Sequence, residues 1–372
     1  MKILHICNDY FGTRLYYILF KSIQDNGIEN LIYVPLEDIG IIKEECVSER
    51  VTYSKCYTSF DRIFFTHKEK KVLKDIIEKY SFRNIDFIHA HNLFSDGYIA
   101  YKLNQQYNIP YIVAVRNTDV NIFFKYRFNL RNLGINILKN ASKIIFISES
   151  YRTYTIEKYV PKEFSENFFS KSVVIPNGID KFWLNNKYYC RKNLKENELK
   201  IIYVGEINKN KNIETTIKAC IKLIEKNYKV SYRIVGKILD DRYRKIIQKH
   251  DFITHVGFSP KEEVINYFRD SDVFIMPSIY ETFGLVYAEA MSQGLPIIYT
   301  KNQGFDGQFE DGIVGYSVNC FDENEIVYKV EMILKDYSDI SLSCINHVER
   351  YNWNGLSLKY KEIYERFINH VD

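Results

Sequence analysis

The sequence predicts an α/β protein made of two doubly wound, parallel-sheet halves. Three observations predict it: short β-branched and aromatic runs that stop at Gly, Asn or Asp, helical patterns between most of them, and the same alternation beginning again in the second half. Alternation of this kind calls for parallel strands covered on both faces. A chain of 372 residues that is 46% hydrophobic has room for two such domains at about 100–200 residues each. It shows no short-period repeat and no extended low-complexity tract.

Residues 2 to 7 read as a buried strand, Asn8 to Thr13 as a turn, and the following residues as a helix that stops at Asn26-Gly27. Further strands are expected at 30–34, 87–90, 111–115, 143–147 and 172–175. In the second half, strand 201–204 closes at Gly205 and is followed by a helix over 213–226. Strand 232–235 closes at Gly236 and is followed by a helix over 240–249. Then come strand 253–256, helix 261–269, strand 273–276 and strand 296–300. Asn185-Asn186-Lys187 and Lys192 to Glu198 have the composition of a solvated linker. The expected domains are 1–182 and 183–352. Ligands of such sheets bind beyond the carboxyl ends of the strands, which points to Asn8–Thr13, His89-Ala90-His91 and Arg116–Asp119 and to a cleft between the halves.

With 51 basic and 47 acidic side chains, the net charge of +4 is too balanced for generic nucleic-acid binding. The seven cysteines are scattered, odd in number and without a CxxC pair, as expected of a reduced, cytoplasmic protein without a structural zinc. The apolar run at Met1–Cys7 is too short for a signal peptide, and no run approaches the ~18 apolar residues of a membrane span.

The chemistry concentrates in Pro277–Pro296. A helix starting near Phe283-Gly284 and ending at Gly294 would aim its first N–H groups at the loop carrying Glu281, an anion site suited to a diphosphate. Glu289, further along that helix, could accept two hydrogen bonds from a vicinal diol such as a ribose. Solvated helix-face charges are the plain alternative for either glutamate. The proline and glycine punctuation around them, Pro277-Ser278, Gly284 and Gly294-Leu295-Pro296, favours a built site.

Glu281-x7-Glu289 within Pro-Ser-x-x-Glu-x-Phe-Gly-Leu-x-x-x-Glu-Ala-Met-x-x-Gly-x-Pro resembles the carboxy-terminal signature of retaining glycosyltransferases of family 4. Val174–Asp180, Val204-Gly205 with Lys211, Val235-Gly236, Ser271–Phe274, Asp311-Gly312-x-x-Gly315 and Tyr351-Asn352-Trp353 stand in the family's order. The resemblance implies the GT-B fold, two Rossmann-like domains facing a central cleft with a closing helix in 353–372 that returns to the first domain, and a nucleotide diphosphate sugar as donor substrate. It implies that Glu289 binds the ribose, that Glu281 holds the donor sugar, and that Phe283, Gly284 and Leu285 offer backbone N–H groups. Lys211 would neutralise the leaving diphosphate, with Gly205 and Lys209 in the same cradle. No metal and no separate cofactor are expected, since positive groups take the metal's role in that fold; Asp240-Asp241 reads as a helix start.

Two departures stand out. Where the family has an arginine, the run Gly205–Asn212 carries Glu206; Lys209 is either the substitute for the missing cation or a solvated turn lysine. Where many relatives have His-Gly-x-Asp, this chain reads Arg116-Asn117-Thr118-Asp119, placing a cation that could meet a donor or acceptor phosphate. Gly12, counted among the binding residues, and Thr13 lie where the family lets its acceptor approach. His89 and His91 are expected to point apart, which is poor geometry for a metal and suits hydrogen bonding in the core or the cleft wall. Residues 121–133 interleave aromatics with cations, and Lys68, Lys70, Lys71, Lys74 and Lys79 add charge. That composition fits an interfacial helix on anionic lipid or an amphipathic helix packing Phe124, Phe128 and Leu133 inward.

The resulting expectation is a hexosyltransferase acting on a glycan or lipid-linked acceptor in surface polysaccharide assembly, cytoplasmic or peripheral on the membrane, its oligomeric state open. A non-catalytic sugar-nucleotide-binding partner of an active transferase and a sugar-nucleotide epimerase are the alternatives.

Overall fold

The computed structural model describes residues 1–10, 14–38, 40, 50–189 and 197–368. The chain forms two compact units. The first gathers Met1–Ile147, Arg152–Asn177 and Trp353–Asp372; the second gathers Ser148–Tyr151 and Gly178–Asn352.

In the first unit the strands are β1 (Lys2–Ile6), β2 (Glu29–Leu36), β3 (Val51–Lys55), β4 (Phe87–Ala90), β5 (Tyr111–Val115), β6 (Lys143–Phe146) and β7 (Ser172–Val174). They form one parallel sheet in the order β3-β2-β1-β4-β5-β6-β7. Every residue of β4 and β5 is buried, and β5 accordingly reads as an unbroken apolar run, while β4 is interrupted by His89. Strand β3 was not expected. It lies at the sheet edge, where Thr52, Tyr53 and Lys55 remain partly or fully exposed and no apolar run marks it.

The closing helix Trp353–Ile368 belongs to this unit although the whole second unit precedes it. Trp353, Leu356, Tyr360 and Tyr364 share a core with Tyr16, Leu19, Phe20 and Ile23 of helix Arg14–Asp25. Asn26 Nδ2 donates to Ser357 Oγ at 2.8 Å and fixes the register of the two helices.

The second unit holds β8 (Glu198–Val204), β9 (Lys229–Val235), β10 (Ile253–Val256), β11 (Val273–Ile275), β12 (Ile297–Thr300) and β13 (Gly315–Val318). They are parallel in the order β10-β9-β8-β11-β12-β13. β13 and the helices Glu323–Lys335 and Tyr337–His347 were not anticipated. Gly205 and Gly236 close β8 and β9 at positive φ, and a Cβ on Gly236 would stand 2.0 Å from the Gly205 carbonyl oxygen. Only glycine permits that approach.

In each sheet the direction of winding reverses once, between β1 and β4 in the first and between β8 and β11 in the second. The loops leaving the carboxyl ends of these strand pairs diverge, and a crevice opens there. Among the described residues no helix is long and apolar enough to cross a membrane. The described cysteines, Cys7, Cys56, Cys220, Cys320 and Cys344, are unpaired thiols.

Candidate active site

The switch point of the second sheet brings together the loops after β8 and β11. Asn210 ties them: its carbonyl accepts from Ile279 N at 2.8 Å, its Oδ1 accepts from Tyr280 N at 2.9 Å, and its Nδ2 donates to Tyr280 O at 2.8 Å. Asn208 caps the tight turn Lys209–Lys211 by accepting from Lys211 N at 3.2 Å. The turn ends at Asn212 with φ of 52°, whose Nδ2 donates to Pro277 O at 3.1 Å.

This clamp sets Lys211 against Glu281, with Nζ to Oε2 at 2.6 Å and both side chains mostly sheltered from water. Glu281 is itself held through its backbone: its N–H donates to Gln303 Oε1 at 2.9 Å, its carbonyl accepts from Gly304 N at 2.6 Å, and its Oε1 accepts from Thr282 N at 3.1 Å. A Cβ on Gly304 would overlap the Thr282 carbonyl, so this contact too requires glycine. The result is a positioned cation and carboxylate, the lysine able to exchange its partner for an anionic ligand group and the carboxylate able to exchange its partner for hydrogen-bond donors. Lys209 is exposed one turn away, and Glu206 is exposed beside Gly205.

Beyond Glu281, Phe283 buries its ring against Phe305 and Tyr351, and Gly284 turns the chain at φ of 72° into helix Leu285–Met291. The hydrogen bond from Tyr287 N to Gly284 O, 3.0 Å, opens that helix. The N–H groups of Phe283, Gly284 and Leu285 come before it and have no helical acceptor. The helix stops at Met291, short of the expected Gly294, because Gly294 N turns back to Met291 O at 2.9 Å.

Glu289 lies about one turn into this helix. It is only partly buried by surface, yet its carboxyl is pushed up to about 7. Burial is the main cause and the nearby Asp180 charge adds to it; a hydrogen bond accepted from the Trp183 indole and the charge of Lys261 oppose it. Asp180 caps helix Lys181–Asn185 by accepting from Phe182 N at 2.9 Å and is paired with Lys261 Nζ at 2.6 Å. Sequence reasoning quoted Asp180 only as the end of Val174–Asp180 and missed Trp183 and Lys261; the cap residue before an aromatic pair was the available signal.

At the switch point of the first sheet, Arg116 follows β5. Its Nε donates to His91 O at 3.1 Å, its Nη1 donates to Asn177 Oδ1 at 3.3 Å, and its guanidinium lies 5.8 Å from the Tyr16 ring centre. Asp119 locks this turn, accepting from Leu93, Phe94 and Arg116 N–H groups at 2.9, 3.1 and 2.8 Å. Burial raises its carboxyl to about 6. Arg116, Asn8, Asp9, Arg62, Lys68 and Asn92 border a pocket of about 400 Å³, with polar groups of both signs on its wall. Gly12 and Thr13 fall outside the described residues.

The expectation that His89 and His91 point apart was incorrect. Side chains two apart on a strand share a face, and these two rings stack with centres 4.0 Å apart, beside His5. Residues 121–133 do not form one helix either. They comprise a wide helical turn (Asp119–Phe124), a tight turn (Phe128–Leu130) and the start of helix Arg131–Asn140. Phe124 packs inward as expected, while Phe128 is 67% exposed under the Arg131 guanidinium. Phe60, Ile63 and Phe64, exposed at 67, 61 and 56%, were missed although Phe60-x-x-Ile63-Phe64-Phe65 stands just before the lysine run.

Residues 13–181 match the family described as Glycosyltransferase Family 4, and residues 188–350 match Glycosyl transferases group 1. The chain is 25% identical over 281 residues to the alpha-monoglucosyldiacylglycerol synthase of Acholeplasma laidlawii, covering 69% of this chain and 68% of that one. Among solved structures it is similar to sucrose-phosphate synthase from Thermosynechococcus elongatus, with a TM-score of 0.77, 20% identity and 99% of both chains covered. It is also similar to Anabaena HepE in complex with UDP-glucose, with a TM-score of 0.69, 18% identity and 98% and 100% covered. The chain therefore belongs to the glycosyltransferases, an enzyme on the GT-B fold with a family 4 amino-terminal half and a group 1 carboxy-terminal half.

Proposed function

We propose that this enzyme moves a sugar from a nucleotide diphosphate sugar to a hydroxyl of a glycan or lipid-linked acceptor, with retention at the anomeric carbon. The observation that carries the reading is the clamped Lys211–Glu281 pair at 2.6 Å, set beside the N–H groups of Phe283, Gly284 and Leu285 at the second switch point. When a donor binds, its diphosphate takes Lys211, and Glu281 turns to the sugar hydroxyls. The bond from the anomeric carbon to the phosphate oxygen then breaks, and the charge on the departing diphosphate is met by the lysine and the N–H groups already in place. The acceptor hydroxyl attacks from the same face and yields its proton to the departing phosphate oxygen. Metal is not required in this scheme, since Lys211, assisted by Lys209, supplies the positive charge. Glu289 holds the ribose diol with its ionised carboxylate.

The first unit offers the acceptor. The pocket of Arg116, Lys68 and Arg62 suits an acceptor that carries phosphate. Nearby, Phe60, Ile63, Phe64, Lys70, Arg127 and Leu130 border a second pocket, of about 730 Å³, an apolar surface set among cations as at a lipid interface. The likeness to a synthase named for a glucosyldiacylglycerol supports an acceptor presented at a membrane, with the enzyme peripheral to it.

The test is a panel of nucleotide sugars with released nucleoside diphosphate as readout, run with wild type and Glu281→Ala. Release by wild type with one donor, reduced about 10²–10³-fold in the variant, is the expected outcome. No release and no binding with any donor would refute the reading.

A further inference from the structure

His5, His89 and His91 were absorbed by none of this chemistry. Strands β1 and β4 pair with His5 directly opposite His89, and His91 follows on the same face, so the three imidazoles meet inside the first unit. All three are buried, at 0, 0 and 1% exposure, and one nitrogen from each lies within 4.8 Å of the others. His5 Nδ1 and His91 Nε2 share a hydrogen bond at 3.0 Å. His89 Nε2 and His91 Nδ1 have no hydrogen-bond partner at all. Two orphaned ring nitrogens in one sealed cluster are a rare arrangement, because buried polar atoms are normally paired.

We propose that His5, His89 and His91 form a site for one transition-metal ion that prefers imidazole ligands, zinc foremost, built into the core of the first unit. The residues behind the rings are those such a site needs. Asn30 Oδ1 accepts a hydrogen bond from His5 Nε2–H at 3.0 Å, leaving the Nδ1 lone pair to face His91. The Tyr364 hydroxyl lies 2.7 Å from His89 Nδ1; with the metal bound it would accept that ring's Nδ1–H, leaving Nε2 as the ligand atom. Partners of this kind fix the tautomer of metal-bound histidines and orient their rings. Zinc–nitrogen bonds of about 2.0–2.1 Å at tetrahedral angles put ligand nitrogens about 3.3 Å apart, so small rotations of the rings would close the cluster around an ion, with a water as fourth ligand. The ion ties β1, β2 through Asn30, β4 and the closing helix through Tyr364. Its role is structural and separate from the donor chemistry of the second unit.

The test uses the untagged full chain, produced once with zinc and once with cobalt in the medium and dialysed against a weak chelator. Elemental analysis is expected to find about one equivalent of metal per chain, and the cobalt form to show the visible bands of a tetrahedral site. Asn30→Ala should weaken retention about 10- to 100-fold while near-UV circular dichroism persists, and H89Q should abolish it. Wild-type protein that carries no metal and shows no cobalt bands overturns the proposal without reliance on any variant folding. So does metal that stays in an H89Q/H91Q double variant, which would place it at exposed histidines such as His67.

Discussion

Replacing Glu289 by glutamine should stabilise the enzyme and impair it at once. A carboxyl raised from 4.5 to about 7 in the folded protein binds more protons folded than unfolded over that interval. Its stabilising share is therefore complete below pH 4.5 and is lost as pH rises to 7. At 1.36 kcal/mol per pH unit the full loss is about 3 kcal/mol. Glu289 is partly solvent-exposed, and a measured value of about 1–3 kcal/mol is expected. Glutamine keeps an oxygen for the Trp183 indole but carries no charge beside Asp180. Urea denaturation of Glu289→Gln at pH 5 and pH 8 should show the gain at pH 8 shrinking toward zero at pH 5. Loss of one charged acceptor for the ribose diol should cut kcat/KM about 10- to 100-fold. A variant no more stable than wild type at pH 8, with unchanged kcat/KM, would refute both the buried charge and the ribose contact.

The same carboxyl predicts that kcat/KM for the donor rises with pH through an apparent pKa near 7 and that this limb disappears in Glu289→Gln. Gly236→Ala would set a methyl 2.0 Å from the Gly205 carbonyl oxygen at a φ of +141°, so denaturation should show a loss of about 3 kcal/mol or more. Wild type should float with anionic vesicles at low salt and release at high salt, whereas a Phe60→Ser/Phe64→Ser variant of the exposed aromatics should stay in solution; wild type that never floats would remove the membrane from the account.

Much of the fold was legible because its strands are buried on both faces. Tyr111–Val115 carries its assignment in an unbroken apolar run, and Phe87–Ala90 in a run broken only by the buried His89. Val51–Lys55 does not, since an edge strand with half-exposed Thr52 and Tyr53 leaves no run to read. In the site, the two glutamates stood out from the glycine and proline punctuation around them, whereas Lys211 entered only through the family resemblance. What sequence could not supply was tertiary pairing. The direct ion pair between Lys211 and Glu281 depends on Asn210 joining two loops 70 positions apart. The Trp183 and Asp180 surroundings of Glu289 come from a helix far away in the chain. The histidines were misjudged for a local reason, the period of two along a strand, and their third member arrived from the neighbouring strand β1.

The central claim is that Lys211 holds the diphosphate and Glu289 the ribose of one donor. Calorimetric titration with the nucleoside diphosphate of the preferred donor, its monophosphate and its 2′,3′-dideoxy diphosphate tests this directly. Wild type should favour the diphosphate over both analogues by about 10- to 100-fold. Lys211→Ala should lose the preference over the monophosphate alone, and Glu289→Gln the preference over the dideoxy form alone. Both variants keeping both preferences would contradict the assignment.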